Sequence, residues 1–363
     1  MNTIKELSSS LEQEIKKSSD IFIIGHNGPD FDSIGSAIGL YNMANHYKKK
    51  AYIVVDDEDS KLEAGVKAII DETKDTIKYV KKSDVLEKVN SKSLLLVTDT
   101  NKKNMIALGD SLDKFKRVFV IDHHGEDKNT ISTEYSYIDL GVSSASEIVA
   151  RILSYCKVPY DSSISNYLFA GISLDTKRFK INTTDATHDI ARRLIRHGAN
   201  IDYVNSLSLQ AFDSYCRISS LIINGTVIMK YSESLIAPIQ VSFTINRNAP
   251  STIYAKEDYA KAADQMMKFQ GIDASFALGY VEEGIVHISA RSTKKVNVGN
   301  IMKSVGGGGN PQSAGGRIKT DDIFALEQQL KDNVSLGLAD NEELKEEPIT
   351  VKVKQLKKKK KEK

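Results

Sequence analysis

Short apolar runs rich in β-branched residues alternate with helical patterns over the first third of the chain. One helical pattern, from Ser33 to about Tyr47, places Ile34 and Ile38 on one side. Continuous apolar strands separated by helices are typical of a parallel sheet that is buried on both faces. The runs that predict strands are Ile21–Ile24, Ala51–Val55, Leu94–Val97 and Val118–Ile121.

The pattern becomes mostly helical after Ser144 and changes again near Asn224, where short strands begin around a helix predicted over Tyr254–Phe269. We therefore predict an α/β protein with a larger parallel-sheet domain and helical linker over 1–223. A smaller α/β domain follows over 224–338, with a cleft between the two. The charged segment 339–363 has too few apolar residues to fold and is predicted to be disordered. The strands predicted in the smaller domain are Val227–Lys230, Ile239–Phe243, Ala274–Tyr280 and Ile285–Ala290.

Composition indicates a globular protein without an overall preference for nucleic acid. Of 363 residues, 40% are hydrophobic and 27% are charged, and 50 basic residues against 48 acidic ones leave a net charge of +2. No stable duplex nucleic acid is expected as a partner, and we interpret the lysine run Lys357–Lys361 as a solvated end. The sequence has no apolar stretch of about 18 residues and begins with a polar segment, so we expect a cytoplasmic protein without a membrane partner.

Polar, chemically capable residues follow the three strongest predicted strands. Ligands of parallel sheets bind beyond the carboxyl ends of the strands, so we expect these residues to lie together. Aspartate-rich surface turns are the competing interpretation, but three such clusters after three buried strands favour a site. The candidate residues are His26, Asp30, Asp32, Asp99, Asp122, His123, His124 and, at the end of a predicted helix, Asp175.

Carboxylates brought together without a cation would repel one another and raise one another's pKa values. A divalent metal would keep several of them ionised. Oxygen ligands alone suit magnesium, whereas added histidines favour manganese. There are more candidate ligands than one ion needs, which favours two ions that share a carboxylate.

These residues resemble the four motifs of the DHH phosphoesterases, and the glycine run near residue 308 resembles their DHHA1 substrate-binding domain. The likeness extends from about Ile21 to Leu336. Four further segments are most similar to the cyclic-di-AMP phosphodiesterase branch of the family: Phe31–Gly39, Val142–Glu147, Asp175–Phe179 and Ile288–Ser292. We also expect Ser143, Ser144 and Ser146 to cap the helix that follows them.

The resemblance implies two manganese ions bridged by Asp99. It implies that His124 contacts the scissile phosphate and that Asp122 orients His123. One ion would have His26, Asp30 and Asp99 as ligands, and the other would have Asp32, Asp99, His123 and Asp175. Residues of the smaller domain would bind the substrate: Arg291, Ser292, Gly307, Gly308, Gly309 and Asn310.

The activity implied is hydrolysis of cyclic di-AMP to pApA, and onward to AMP, by a hydroxide that bridges the two ions. Two alternatives remain open. The first is an oligoribonuclease (nanoRNase) that also removes phosphate from 3′-phosphoadenosine 5′-phosphate. The second is a nucleotide-binding regulator without turnover. The resemblance is also compatible with a homodimer.

Two departures from the family pattern change these expectations. The family has histidine after its glycine run, whereas Asn310 stands here. Asparagine can donate a neutral hydrogen bond but carries no charge, so we expect altered substrate affinity with the metal chemistry retained. The segment Met1–Ser19 leaves no room for the transmembrane and sensory domains of membrane-bound relatives, and we expect regulation to come from elsewhere.

Overall fold

The computed structural model describes residues 3–55, 62–209, 211–231, 238–247, 254–293, 295–338 and 345–348. The chain divides into two compact units, residues 1–209 and 210–363. Among the described residues, no helix combines the length and the apolar character needed to span a membrane.

A six-stranded sheet forms the centre of the first unit, and every pair of neighbouring strands in it is parallel. The spatial order is β3-β2-β1-β4-β5-β6. All four strands predicted from apolar runs are present, and each lies within one residue of its predicted bounds. The strands are β1 (Asp20–Ile24), β2 (Lys50–Val54), β3 (Tyr79–Val80), β4 (Leu94–Thr98), β5 (Val118–Asp122) and β6 (Tyr135–Ile138).

Both faces of this sheet are buried, which explains the continuous apolar runs. Along β1, Ile21 and Ile23 belong to a core on one face, whereas Phe22 and Ile24 belong to a separate core on the other. The first unit contains α1 (Ile4–Lys17), α2 (Phe31–His46), α3 (Ala64–Thr73), α4 (Lys82–Lys88), α5 (Ala145–Tyr155), α6 (Ser162–Asp175), α7 (Asp185–Arg196) and α8 (Ile201–Leu207), with 3₁₀ turns at Lys103–Met105 and Gly109–Lys114.

The strand order reverses between β1 and β4. From β1 the chain moves outward through β2 to β3, and it then returns to place β4 on the other side of β1. The loops that leave the carboxyl ends of β1 and β4 therefore diverge and open a crevice at this point, which is where doubly wound sheets bind their ligands.

The second unit is built on a seven-stranded mixed sheet of order β11-β12-β10-β9-β8-β7-β13. Only β8 and β9 pair in parallel among its strands, which are otherwise antiparallel. Its strands are β7 (Thr226–Tyr231), β8 (Ile239–Asn246), β9 (Ile272–Glu282), β10 (Ile285–Ser292), β11 (Gly308–Gly309), β12 (Ser313–Lys319) and β13 (Lys345–Pro348). Its helices are α9 (Phe212–Ile223), α10 (Lys256–Met266), α11 (Val298–Ser304) and α12 (Ile323–Asp332), with a 3₁₀ turn at Asn333–Gly337.

Two expectations about this half of the chain need correction. We predicted a domain boundary between 223 and 224, but α9 belongs to the second unit because its Ile218 and Leu221 pack with Tyr259 of α10. The glycine run contributes the short strand β11. In the predicted disordered tail, Lys345–Pro348 pairs with β7, and backbone pairing of this kind requires no apolar side chains. The rest of 339–363, including Lys357–Lys361, lies outside the described residues.

Candidate metal centre

The loop after β1 brings His26 and Asp30 to the crevice. Asp30 is the N-cap of α2, and its Oδ1 accepts hydrogen bonds from the backbone N–H groups of Asp32 (2.9 Å) and Ser33 (3.0 Å). His26 Nε2 lies 3.8 Å from Asp30 Oδ1 and 3.4 Å from Asp99 Oδ2. The three side chains can offer donor atoms within 4.8 Å of one another, which is close enough to bind one ion.

Asp99 follows β4 directly and is buried at the centre of the site. Its backbone has φ of +58°, a left-handed conformation that is uncommon for residues other than glycine. Residues held in such conformations cluster at functional sites. Asp99 is common to all three groups of potential metal ligands among the described residues. The position therefore suits a carboxylate that is shared by two ions.

His123 is the centre of a second group of donors. Its Nε2 lies 3.1 Å from Asp175 Oδ2, 3.3 Å from Asp99 Oδ1 and 3.6 Å from Asp32 Oδ2. His123 follows β5, whereas Asp175 is the last residue of α6. The structure thus brings together the six residues predicted as ligands, in the two groups that the resemblance implied.

Asp122 contacts both of the histidines that follow it. Its Oδ1 accepts the backbone N–H of His123 at 2.8 Å and also lies 2.9 Å from Nδ1 of His124. The His123 ring points its Nε2 at three other carboxylates, so the carboxylate of Asp122 is left to hold the ring of His124. The hydrogen bond that Asp122 accepts from Nδ1–H raises the pKa of His124, which favours the cationic form of its ring.

The ionisation of the site indicates that its carboxylates need a cation. Burial raises the pKa of Asp32 well above its ordinary value, and the charges of Asp99 and Asp175 raise it further. Burial disfavours protonation of the two histidines, but the neighbouring carboxylates outweigh this and raise the pKa values of His26 and His123 to about 11. In return, these histidines overcome the burial of Asp99 and lower its pKa to about 2. The protein's own groups therefore compensate the negative charge by holding protons where a metal would bind.

Several buried polar atoms make no hydrogen bond within the part of the chain that the structure describes. Among them are Asp99 Oδ1 and His123 Nε2, which lie 3.3 Å apart without hydrogen-bond geometry, and Asp122 Oδ2. Buried polar atoms without partners are costly, and those of a metal site point at the ion rather than at one another. The donor set of carboxylates with two imidazoles fits a borderline-hard divalent ion such as Mn²⁺.

Sequence reasoning missed the groups that hold Asp32 in place. Backbone N–H groups at the start of α5 bind its carboxylate, with Ala145 donating to Oδ2 (2.7 Å) and Ser146 to Oδ1 (2.8 Å). The predicted cap of this helix is confirmed at Ser144, whose Oγ accepts the N–H of Glu147. The serines marked the start of the helix, but nothing in the sequence indicated what its free N–H groups would bind.

The predicted substrate-binding residues lie in the second unit, and several of their polar groups are already engaged. Arg291 Nε donates to Asp264 (2.7 Å), and Ser292 Oγ donates to Val296 O (2.6 Å). Gly307 was expected to bind the substrate, but its N–H donates to Met302 O (2.8 Å), so this amide is not free to bind a phosphate. The remaining predicted residues are Gly308 and Gly309, which pair with β12, and the exposed Asn310.

Comparison with known families agrees with this architecture. A model described as the DHH family, N-terminal domain, matches residues 20–172, and a model described as the DHHA1 domain matches residues 240–336. Together the two matches cover more than half of the chain, which therefore belongs to the DHH family.

Individual relatives point to the phosphodiesterases of that family. The chain is 30% identical to the cyclic-di-AMP phosphodiesterase PdeA of Listeria monocytogenes, over 89% of this chain and 48% of that protein. It thus spans about half the length of the first curated relatives it matches. It is 26% identical to the bifunctional oligoribonuclease and PAP phosphatase NrnA of Thermus thermophilus, over 84% of this chain and 85% of that protein. An exopolyphosphatase-related protein of Bacteroides fragilis has the same fold, with a TM-score of 0.72 at 18% identity over 91% of this chain and 97% of that one.

Proposed function

We propose that this chain is a phosphodiesterase that uses two manganese ions to hydrolyse cyclic di-AMP to pApA. The observation that carries the proposal is the position of Asp99, which is buried, follows the strand at the reversal of the sheet and is shared by all three groups of donors. A carboxylate in that position is suited to join two ions at the separation that phosphoester hydrolysis uses.

Each group of the site has a distinct task in this proposal. His26, Asp30 and Asp99 would hold one ion, and Asp32, Asp99, His123 and Asp175 would hold the other. When bound, such ions supply positive charge for the phosphoryl oxygens and lower the pKa of water. Together with the bridging Asp99, the two groups of ligands would fix where the phosphoester lies within the crevice.

His124 is the group of this chain that is best placed to contact the phosphate. Its side chain is 55% exposed, and Asp122 occupies Nδ1, so that Nε2 is the nitrogen left to face a ligand. Because its hydrogen bond with Asp122 favours the protonated ring, the Nε2–H can donate a charge-assisted hydrogen bond to a phosphoryl oxygen. Such a donor stabilises the negative charge that increases in the transition state.

The substrate assignment is supported by the cyclic-di-AMP phosphodiesterases among the relatives. A second candidate is trimming of short RNA together with dephosphorylation of 3′-phosphoadenosine 5′-phosphate. This candidate is favoured by coverage, since the likeness to the Thermus thermophilus protein spans 85% of its length. Both candidates use the same metal chemistry and differ in whether the substrate has a free end.

Turnover by the purified full-length chain in the presence of Mn²⁺ tests the proposal. The values of kcat/KM would be compared for cyclic di-AMP, pApA, a short RNA and phosphoadenosine phosphate. Asp99→Asn is the inactive variant, because asparagine preserves the side-chain shape and tolerates positive φ. Asp110→Asn, at an exposed position, is its matched control.

We expect preference for cyclic di-AMP, loss of at least about 1,000-fold in Asp99→Asn and no change in Asp110→Asn. Preference for RNA or phosphoadenosine phosphate would instead support the second candidate. Binding of these nucleotides with no Mn²⁺-dependent turnover of any of them would refute the enzymatic proposal and indicate a nucleotide-binding regulator.

A further inference from the structure

A buried carboxylate next to the metal centre has no assigned role. Glu147 lies in the first turn of α5 and is fully buried. Its Oε2 accepts hydrogen bonds from the N–H (3.2 Å) and Oγ (2.5 Å) of Ser143 and from Oγ1 of Thr187 (2.9 Å). Its Oε1 binds the guanidinium of Arg151. An ionised carboxylate is rarely buried unless it is satisfied in this way, and here four donors from three residues surround it.

These contacts fix the segment that holds Asp32. Glu147 binds Ser143 just before the helix, and its own N–H binds the N-cap Ser144. The two residues between this cap and Glu147 donate their N–H groups to the two oxygens of Asp32. The carboxylate of Glu147 thus closes a loop of hydrogen bonds around the turn from which those amides point.

The orientation of Asp32 depends on this turn. With an amide bound to each oxygen, the Asp32 carboxylate has little freedom to rotate, and its Oδ2 lies 3.6 Å from His123 Nε2. Mutation of a group that orients a metal ligand through hydrogen bonds typically costs about 10–100-fold in metal affinity. Thr187 extends the support to the start of α7, so the turn is held from two helices.

We propose that Glu147 is a positioning residue for the metal centre, acting through the α5 amides on Asp32. The inference rests on the proposed function, because it needs a metal to be bound at this site. Glutamine cannot replace Glu147 fully. It offers one acceptor oxygen in place of two, so its amide group must face either the Arg151 guanidinium or the donors of Ser143 and Thr187.

Mn²⁺ binding to the full-length protein, measured by titration calorimetry without substrate, tests this role. We expect Glu147→Gln to raise the Kd for Mn²⁺ by about 10–100-fold. The matched control is Glu14→Gln. Glu14 of α1 is also a buried glutamate of the first unit. It is paired with Lys17 of the same helix (3.0 Å) and with Arg117, which precedes β5 (3.4 Å), and none of its ion pairs involves the metal centre. The control should lower the thermal stability of the protein and leave the Kd unchanged.

A double-mutant cycle separates positioning from general destabilisation. If Glu147 acts through Asp32, Glu147→Gln should raise the Kd much less in an Asp32→Asn background than in the wild type. Ser143→Ala removes one hydroxyl donor to Glu147 and supplies a milder variant, should Glu147→Gln fold poorly. We expect Ser143→Ala also to raise the Kd for Mn²⁺, and to change the melting temperature less than Glu147→Gln does.

The outcomes distinguish this inference from the proposed function. Wild-type protein that binds no Mn²⁺ would refute the metal centre itself. Wild-type protein that binds Mn²⁺, with an unchanged Kd in both Glu147→Gln and Ser143→Ala, would refute the positioning role alone. An equal rise of the Kd with and without Asp32 would also refute it, since the effect would then not pass through that carboxylate.

Discussion

Gly171 of α6 lies against Asp32, and a single methyl group added there should disturb the metal centre. A Cβ at this position would lie 2.3 Å from Ser146 Oγ, 2.7 Å from Asp32 Oδ1 and 2.9 Å from Asp32 Cα. Ordinary contacts of a Cβ begin near 3.4 Å, so the two Asp32 atoms must retreat by roughly 0.5–0.7 Å. The Asp32 Cα belongs to the backbone of α2 and cannot move away as a flexible side chain could.

The size of this displacement decides the expected effect. Metal ligands tolerate errors of about 0.5 Å before binding weakens, and the displacement reaches that limit. We expect Gly171→Ala to raise the Kd for Mn²⁺ by about 10–100-fold, as disruption of supporting contacts does elsewhere. Overpacking should also cost about 1–3 kcal/mol of stability.

Calorimetric titration with Mn²⁺ and thermal unfolding of the metal-free protein measure the two effects separately. Gly39→Ala is the control. The nearest atoms to a Cβ there belong to side chains, with Val149 Cγ1 at 2.6 Å and Leu168 Cδ2 at 3.1 Å. It should lower the melting temperature and leave the Kd unchanged. The reasoning would be refuted if Gly171→Ala bound Mn²⁺ as tightly as the wild type, or if Gly39→Ala weakened binding equally.

Three further predictions follow from the same geometry. Metal binding should release protons, because the pKa values of His26 and His123 are raised to about 11 and both rings are protonated below that value, whereas a ligand must be neutral. Affinity for Mn²⁺ should therefore rise between pH 6 and 9, by up to about tenfold per pH unit for each ring. Calorimetric titrations in buffers of different ionisation enthalpy would measure the number of protons released. Binding heats that do not depend on the buffer would contradict this prediction. Asp122→Asn should lower the pKa of His124 and shift the alkaline limb of the pH profile of kcat/KM to lower pH. An unchanged profile would exclude protonated His124 as the hydrogen-bond donor to the phosphate. Gly309→Ala should destabilise the second unit, because Gly309 has φ of +140° and a Cβ there would lie 2.5 Å from Ala314 Cα. Denaturant unfolding should show that the free energy of unfolding falls by at least about 1 kcal/mol. An unchanged free energy of unfolding would contradict the packing described for β11.

The fold of the first unit was largely predictable because its central strands are buried on both faces. β6 escaped prediction because only Tyr137 of its four residues is buried, so it carries no apolar run. β3 has two residues and is too short to produce a pattern. α1 was not predicted, although Leu7, Leu11 and Ile15 recur at helical spacing, because the segment is polar and rich in charged residues overall.

The positions of the candidate ligands were predictable, whereas their support was not. Residues such as Asp99 directly follow buried strands, and parallel strands end at a common edge. The amides that hold Asp32 come from Ala145 and Ser146, which are 113 and 114 residues away in the chain, and backbone N–H groups have no signature in the sequence. The position of the domain boundary was not predictable for a related reason. The apolar pattern of α9 fits either unit, and only its packing on α10 decides between them.

The candidate ligands come from four separate segments, between His26 and Asp175, that span most of the first unit. An ion held by the group Asp32, Asp99, His123 and Asp175 would join all four segments, close long loops of the chain and act as a reversible cross-link. It would bind the folded unit far more tightly than the unfolded chain, so the free energy of unfolding would rise with the logarithm of the ion concentration. The lifetime of the protein, and not only its activity, would then depend on the supply of the metal.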